Sequence, residues 1–85
     1  MDFEEELMAI LLRMGLENPV LEINVRPGGR VSGFVISESF TEKSQIERQD
    51  MLWDTLDDVL DEEKNLKIIG LLTMTPAEVE EADAL

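Results

Sequence analysis

The stretch Val20-Leu21-Glu22-Ile23-Asn24-Val25-Arg26-Pro27-Gly28-Gly29-Arg30-Val31-Ser32-Gly33-Phe34-Val35-Ile36 decides the fold. Leu21, Ile23 and Val25 alternate with Glu22, Asn24 and Arg26, and a period of two sends one set to a covered face and the other to solvent. Pro27-Gly28-Gly29 is turn chemistry, and the β-rich run from Val31 to Ser37 follows it. The two runs predict a hairpin with Arg26 and Arg30 at its tip. On its second strand Phe34 and Ile36 share one face, and Val31 and Val35 share the other.

Helical patterns flank this hairpin. Asp2 with Glu5 reads as a capping box, followed by Phe3, Leu7, Ile10, Leu11 and Met14 on one helical face. Gly15 supplies a left-handed end, and Asn18-Pro19 separates the helix from the first strand. After a short connection, Ser44 with Glu47 opens a second helix, with Thr41 an alternative start one turn earlier. Ile46, Leu52, Trp53, Leu56, Val59 and Leu60 form its apolar stripe, and Asp50, Asp54, Asp57, Asp58 and Asp61 its outer face. This helix runs out in the charged segment 61–65. A third strand is expected over Leu66 to Thr73. Thr75-Pro76-Ala77-Glu78 then supplies a cap, a proline at the first helical position and an acid at the third, for a short last helix fraying by Leu85. The order α-β-β-α-β-α makes an α+β domain, with helices packed on one face of a three-stranded sheet.

Composition narrows the function. Eighty-five residues make one domain with one modest core. Cys, His and Tyr are all absent. That removes disulfides, thiolate nucleophiles and the side chain that titrates near neutrality, so no catalytic residue, metal ligand or cofactor is expected. The aspartate row along the second helix diverges, whereas a calcium site needs six to eight converging oxygens. Net charge is −13, which opposes non-specific binding to a phosphate backbone. The opening segment lacks the basic and apolar regions of a signal peptide. The apolar run Leu7 to Leu12 is far short of a membrane span. The expectation is a cytoplasmic, non-enzymatic domain that binds a protein partner.

Two sets of residues are candidates for that contact. Arg26, Arg30, Lys43, Arg48 and Lys67 are five of seven positive charges. They suit either a small anion or an acidic partner, unless acids such as Glu42 and Glu47 neutralise them. Helices cover only one face of so small a sheet. Phe34, Ile36, Ile68 and Leu72 are therefore candidates for exposure, as a surface for a second copy or another protein, unless the last helix folds over them. Trp53 and the methionines are expected in the core.

Val35-Ile36-Ser37 and Phe40, then Ser44, Arg48 and Leu56 at steps of four, four and eight, resemble the signature of the BolA-like family. Thr75-Pro76-Ala77-Glu78 falls where that family ends its last strand and starts its final helix. The resemblance covers the whole chain in element order, and residues 35 to 78 in motif. It implies a fold akin to one class of KH domains. It also implies partnership with monothiol glutaredoxins in iron–sulfur and iron regulation, or alternatively a DNA-binding regulator using Lys43 and Arg48. In the family's iron role an imidazole near the start of the last strand ligates a shared cluster. Lys67 occupies that position here, and the hairpin loop offers neither His nor Cys. An ammonium group has no lone pair for a metal, so ligation in the family's manner is not available. The glycine usual after Phe40 is also replaced, by Glu42.

At −13, self-repulsion opposes compaction and salt relieves it. The melting temperature is expected to rise as salt increases from about 0.01 M to 0.15 M, where the Debye length falls from roughly 30 to 8 Å. Thermal scans across that series check this, and a flat profile would mean the acids are already neutralised by pairing.

Overall fold

The computed structural model describes residues 2–83. The elements are α1 (Phe3–Leu12), β1 (Val20–Val25), β2 (Val31–Ile36), a 3₁₀ turn (Glu38–Phe40), α2 (Gln45–Val59), α3 (Glu62–Asn65), β3 (Ile68–Met74) and α4 (Pro76–Asp83). The sheet order is β1-β2-β3, with β1 antiparallel and β3 parallel to the central β2. The expected α+β layout is present, with α3 as an added turn. Fraying at Leu85 lies outside the described residues.

The hairpin turn follows from its sequence. Pro27 is preset for the first central position, and Gly28 takes the positive φ of 89° that the second requires. Gly29 donates to the Arg26 carbonyl (3.1 Å), and Arg26 donates to that of Arg30 (2.7 Å). Gly29 is itself left-handed (φ 82°), the bulge that commonly follows such a turn.

The core lies between one sheet face and the two longer helices. Leu7, Ile10 and Leu11 of α1 meet Leu52 and Leu56 of α2, Phe40, and the inward residues Val31, Val35, Ile68 and Leu71. Asp2 caps α1 by accepting from Glu5 N–H. Ser44 and Glu47 form the reciprocal capping box of α2, fixing its start there rather than at Thr41.

Three expectations need correction. Ile46 and Val59 are exposed (75% and 58%), and the inward stripe of α2 is instead Arg48, Leu52 and Leu56, continued by Leu60 beyond the helix. The third strand begins two residues late. Asp61 accepts from Lys64 N–H and winds residues 62–65 into α3, leaving Leu66 exposed. Ile68 is core rather than surface, at 7% exposure. Val31 pairs with Ile68 but Ser32 pairs with Gly70, so Ile69 is an extra residue in β3 and resets which side chains face outward. Trp53, Met14 and Met51 pack against the core as expected, whereas Met74 sits at the sheet's other face.

Gly33 leaves no room for a side chain against β1. A Cβ built there would run into the Glu22 carbonyl oxygen, a backbone atom with no rotamer to yield. Gly33→Ala is expected to destabilise the fold by about 1–3 kcal/mol, the usual cost of overpacking. Urea unfolding of the two proteins checks this.

Candidate interaction surface

Alternation along β2 sends Val31, Gly33 and Val35 into the core and Ser32, Phe34 and Ile36 to the opposite face. Register then aligns Val20 with Ile36, Glu22 with Phe34 and Asn24 with Ser32 on one side. On the other side Leu72 sits beside Phe34, and Met74 beside Ile36. α1 and α2 pack against the far side of the sheet. The result is an open apolar face, with Leu72 58%, Ile69 55% and Val20 53% exposed. Of the four apolar residues predicted for this surface, Phe34, Ile36 and Leu72 lie on it and Ile68 does not. Val20, Ile69 and Met74 are the members that sequence reasoning missed. Strand alternation could have signalled Val20, but no residue pattern announces the bulge that exposes Ile69.

Phe34 divides this face into two depressions. One, of about 390 Å³, is lined by Asn24, Arg26, Ser32, Gly33, Phe34, Ile69, Gly70 and Leu72. The other, of about 280 Å³, lies against α4 and is lined by Glu22, Phe34, Ile36, Met74, Val79, Ala82 and Asp83. α4 therefore borders the open face without covering it.

The basic residues fall into two groups. Arg26 and Arg30 flank the hairpin turn, and the Lys67 carbonyl accepts from Val31 N–H (2.9 Å), which puts Lys67 at the same end. Arg26 Nε reaches Ser32 Oγ at 3.4 Å, and Lys67 Nζ stands 5.6 Å from the Phe3 ring centre. Lys43 and Arg48 lie at the opposite end, beside the start of α2. Among the described residues Arg26, Arg30, Lys43 and Lys67 have no carboxylate at ion-pair distance. Glu47, expected as a partner, is turned to the α2 cap. Ser44 N–H foremost, with Lys43 contributing least, holds its carboxyl below the usual range.

Arg48 is not a surface base, which corrects its reading as a nucleic-acid contact. Its side chain is 6% exposed. Nε donates to the carbonyls of Phe40 (3.1 Å) and Lys43 (3.0 Å), and one terminal nitrogen donates to Glu78 Oε1 (2.7 Å). Glu78 in turn accepts from Thr75 N–H, and Thr75 Oγ1 accepts from Glu78 N–H. The motif residues Phe40, Arg48, Thr75 and Glu78 thus meet in one clasp joining α4 to the start of α2. Its guanidinium is committed to this clasp, with little surface left for phosphate.

Among the described residues no group of three or more carboxylates is placed to hold an ion. No described helix is long and apolar enough to cross a membrane. Compared with known proteins, the chain matches no family model, no curated protein and no solved structure.

The clasp has a pH signature. Arg48 foremost, then Thr75 N–H, holds the Glu78 carboxyl below the usual carboxylate range. Its folded form favours the charged state, so its contribution is fully present above about pH 4.5 and is lost as pH falls through the lowered value. Glu78→Gln is expected to cost about 1 kcal/mol at neutral pH, a figure discounted for screening at a carboxylate 38% exposed. The gap from wild type should close below pH 4.5, which denaturation series at neutral and acidic pH would check.

Proposed function

We propose that this chain is a non-enzymatic interaction module of the BolA-like type, acting as a cytoplasmic adaptor. The observation that carries the reading is the open face of Phe34, Ile36 and Leu72, bordered by Arg26 at the hairpin end, where Arg30 also stands and Lys67 turns toward Phe3 of α1. Uncovered apolar area of this kind marks a protein contact, and a cation at its edge without a carboxylate partner orients the partner protein. The clasp around Arg48 supports the family reading, because four of the residues carrying the resemblance, Phe40, Arg48, Thr75 and Glu78, depend on one another physically. By that resemblance the partner is a monothiol glutaredoxin and the setting is iron–sulfur regulation. With Lys67 in place of the family's imidazole, any cluster held in the complex would be ligated by the partner. The DNA-binding alternative is not carried forward, since the Arg48 guanidinium is occupied within the fold.

Mixing the purified protein with a monothiol glutaredoxin, followed by size exclusion and visible absorbance, tests this. The expected result is a stable complex whose cluster spectrum is that of the glutaredoxin alone. An altered spectrum would overturn the ligand argument, and no complex would overturn the partner. Leu72→Asp is expected to weaken the complex by about tenfold, the effect of losing one well-packed apolar contact. Its melting temperature should stay unchanged, because Leu72 already faces water.

A further inference from the structure

The two edges of the sheet differ. On β3 the Leu71 carbonyl accepts from Gln49 Nε2 (3.1 Å), and Gln49 Oε1 accepts from Trp53 Nε1 (3.0 Å). Thr73 Oγ1 donates to Gln45 Oε1 (3.2 Å). Gln49, itself held by Trp53, thus engages the backbone of that edge, and Gln45 one turn earlier engages the Thr73 side chain. β1 has no such cover. Arg26 N–H bonds back to Arg30, so by antiparallel alternation the N–H and C=O groups of Leu21, Ile23 and Val25 point away from β2. Among the described residues none of these outward groups has a hydrogen-bond partner. An uncovered edge of this length is a template for another strand.

We propose that β1 pairs with β1 of a second copy, antiparallel about a two-fold axis at Asn24, to make a continuous six-stranded sheet. The charges select both the occupant and the register. With Asn24 opposite Asn24, Ile23 of each copy forms a hydrogen-bonded pair with Val25 of the other, giving four backbone bonds. Glu22 of each copy then lies opposite Arg26 of the other. Glu22 and Arg26 fall on the open face, at the closely spaced pairs where side chains interact most. Two symmetric Glu–Arg pairs, neither available within one copy, result. Sliding the strands to place Glu22 opposite Glu22 sets like charges together. Val25, 53% exposed in the single chain, is covered by Ile23 of the second copy. The pairing also joins the two open apolar faces side by side, without covering either.

Sedimentation equilibrium of the protein alone tests this, at about 0.3 M salt so that the net repulsion is screened. The assay contains no other protein, so its outcome is independent of the glutaredoxin reading. The expected result is a reversible dimer that Glu22→Arg or Arg26→Glu each weakens by about tenfold, since either change replaces two attractive cross-strand pairs by two repulsive ones. The double variant E22R/R26E should return to the wild-type dissociation constant. Melting curves of all four proteins confirm that each is folded. A wild-type protein still monomeric at roughly 1 mM, the weak end of specific association, would overturn the proposal and leave the edge to a strand of another protein. A dimer that ignores the single reversals would overturn it in favour of contact through the apolar face. Failure of the double variant to recover would overturn the register.

Discussion

Strand β2 is hydrogen-bonded along both edges but packed against helices on one side only, and the rest of the molecule follows from that asymmetry. The covered side takes Val31, Gly33 and Val35, around which α1 and α2 close. Gly33 has no side chain because β1 crosses too near for one. The uncovered side takes Phe34 and Ile36, and the pairing places Val20 and Leu72 on that same side. Adding a further helix would hide this surface. α4 instead stops at its border, with its first turn tied to Arg48 through Glu78.

That attachment gives the two ends of the sheet different mechanical roles. At the far end from the hairpin, Arg48 collects two backbone carbonyls from the connection before α2 and a carboxylate from α4. A buried guanidinium is tolerable only when its donors are met in this way. The cost of breaking it falls on α2 and α4 together. At the hairpin end Arg26 and Arg30 have no carboxylate partners among the described residues. One end is locked and the other is presented.

Legibility in the sequence tracks how local each determinant is. The period of two in β1, the Pro-Gly turn and the Ser44–Glu47 cap are settled within a few residues, and each is found where its pattern puts it. β3 was harder. Its run of apolar residues carries no alternation to show which face is which, and the extra residue at Ile69 is set by pairing with β2 rather than by its own neighbours. Arg48 departs from the rule that a charged side chain lies at the surface. Its spacing carried a signal nonetheless, since 48, 52 and 56 fall on one helical face with Leu52 and Leu56 in the core. The split of the basic residues between two ends depends on topology, which no local pattern encodes.

The open face and the charges around it divide the work of recognition. Apolar area supplies affinity but little orientation, since one greasy surface accepts another in many poses. The rim is two-signed: Arg26 stands at one depression, and Glu22 with Asp83 at the other. A partner with the opposite arrangement is steered into one pose, and one of uniform charge meets repulsion at one end whichever way it turns. The net charge of −13 works on a longer scale, and salt largely screens it. At contact distance Arg26 matters more than the many distant acids, because it lines a depression of the open apolar face beside Phe34 and Leu72.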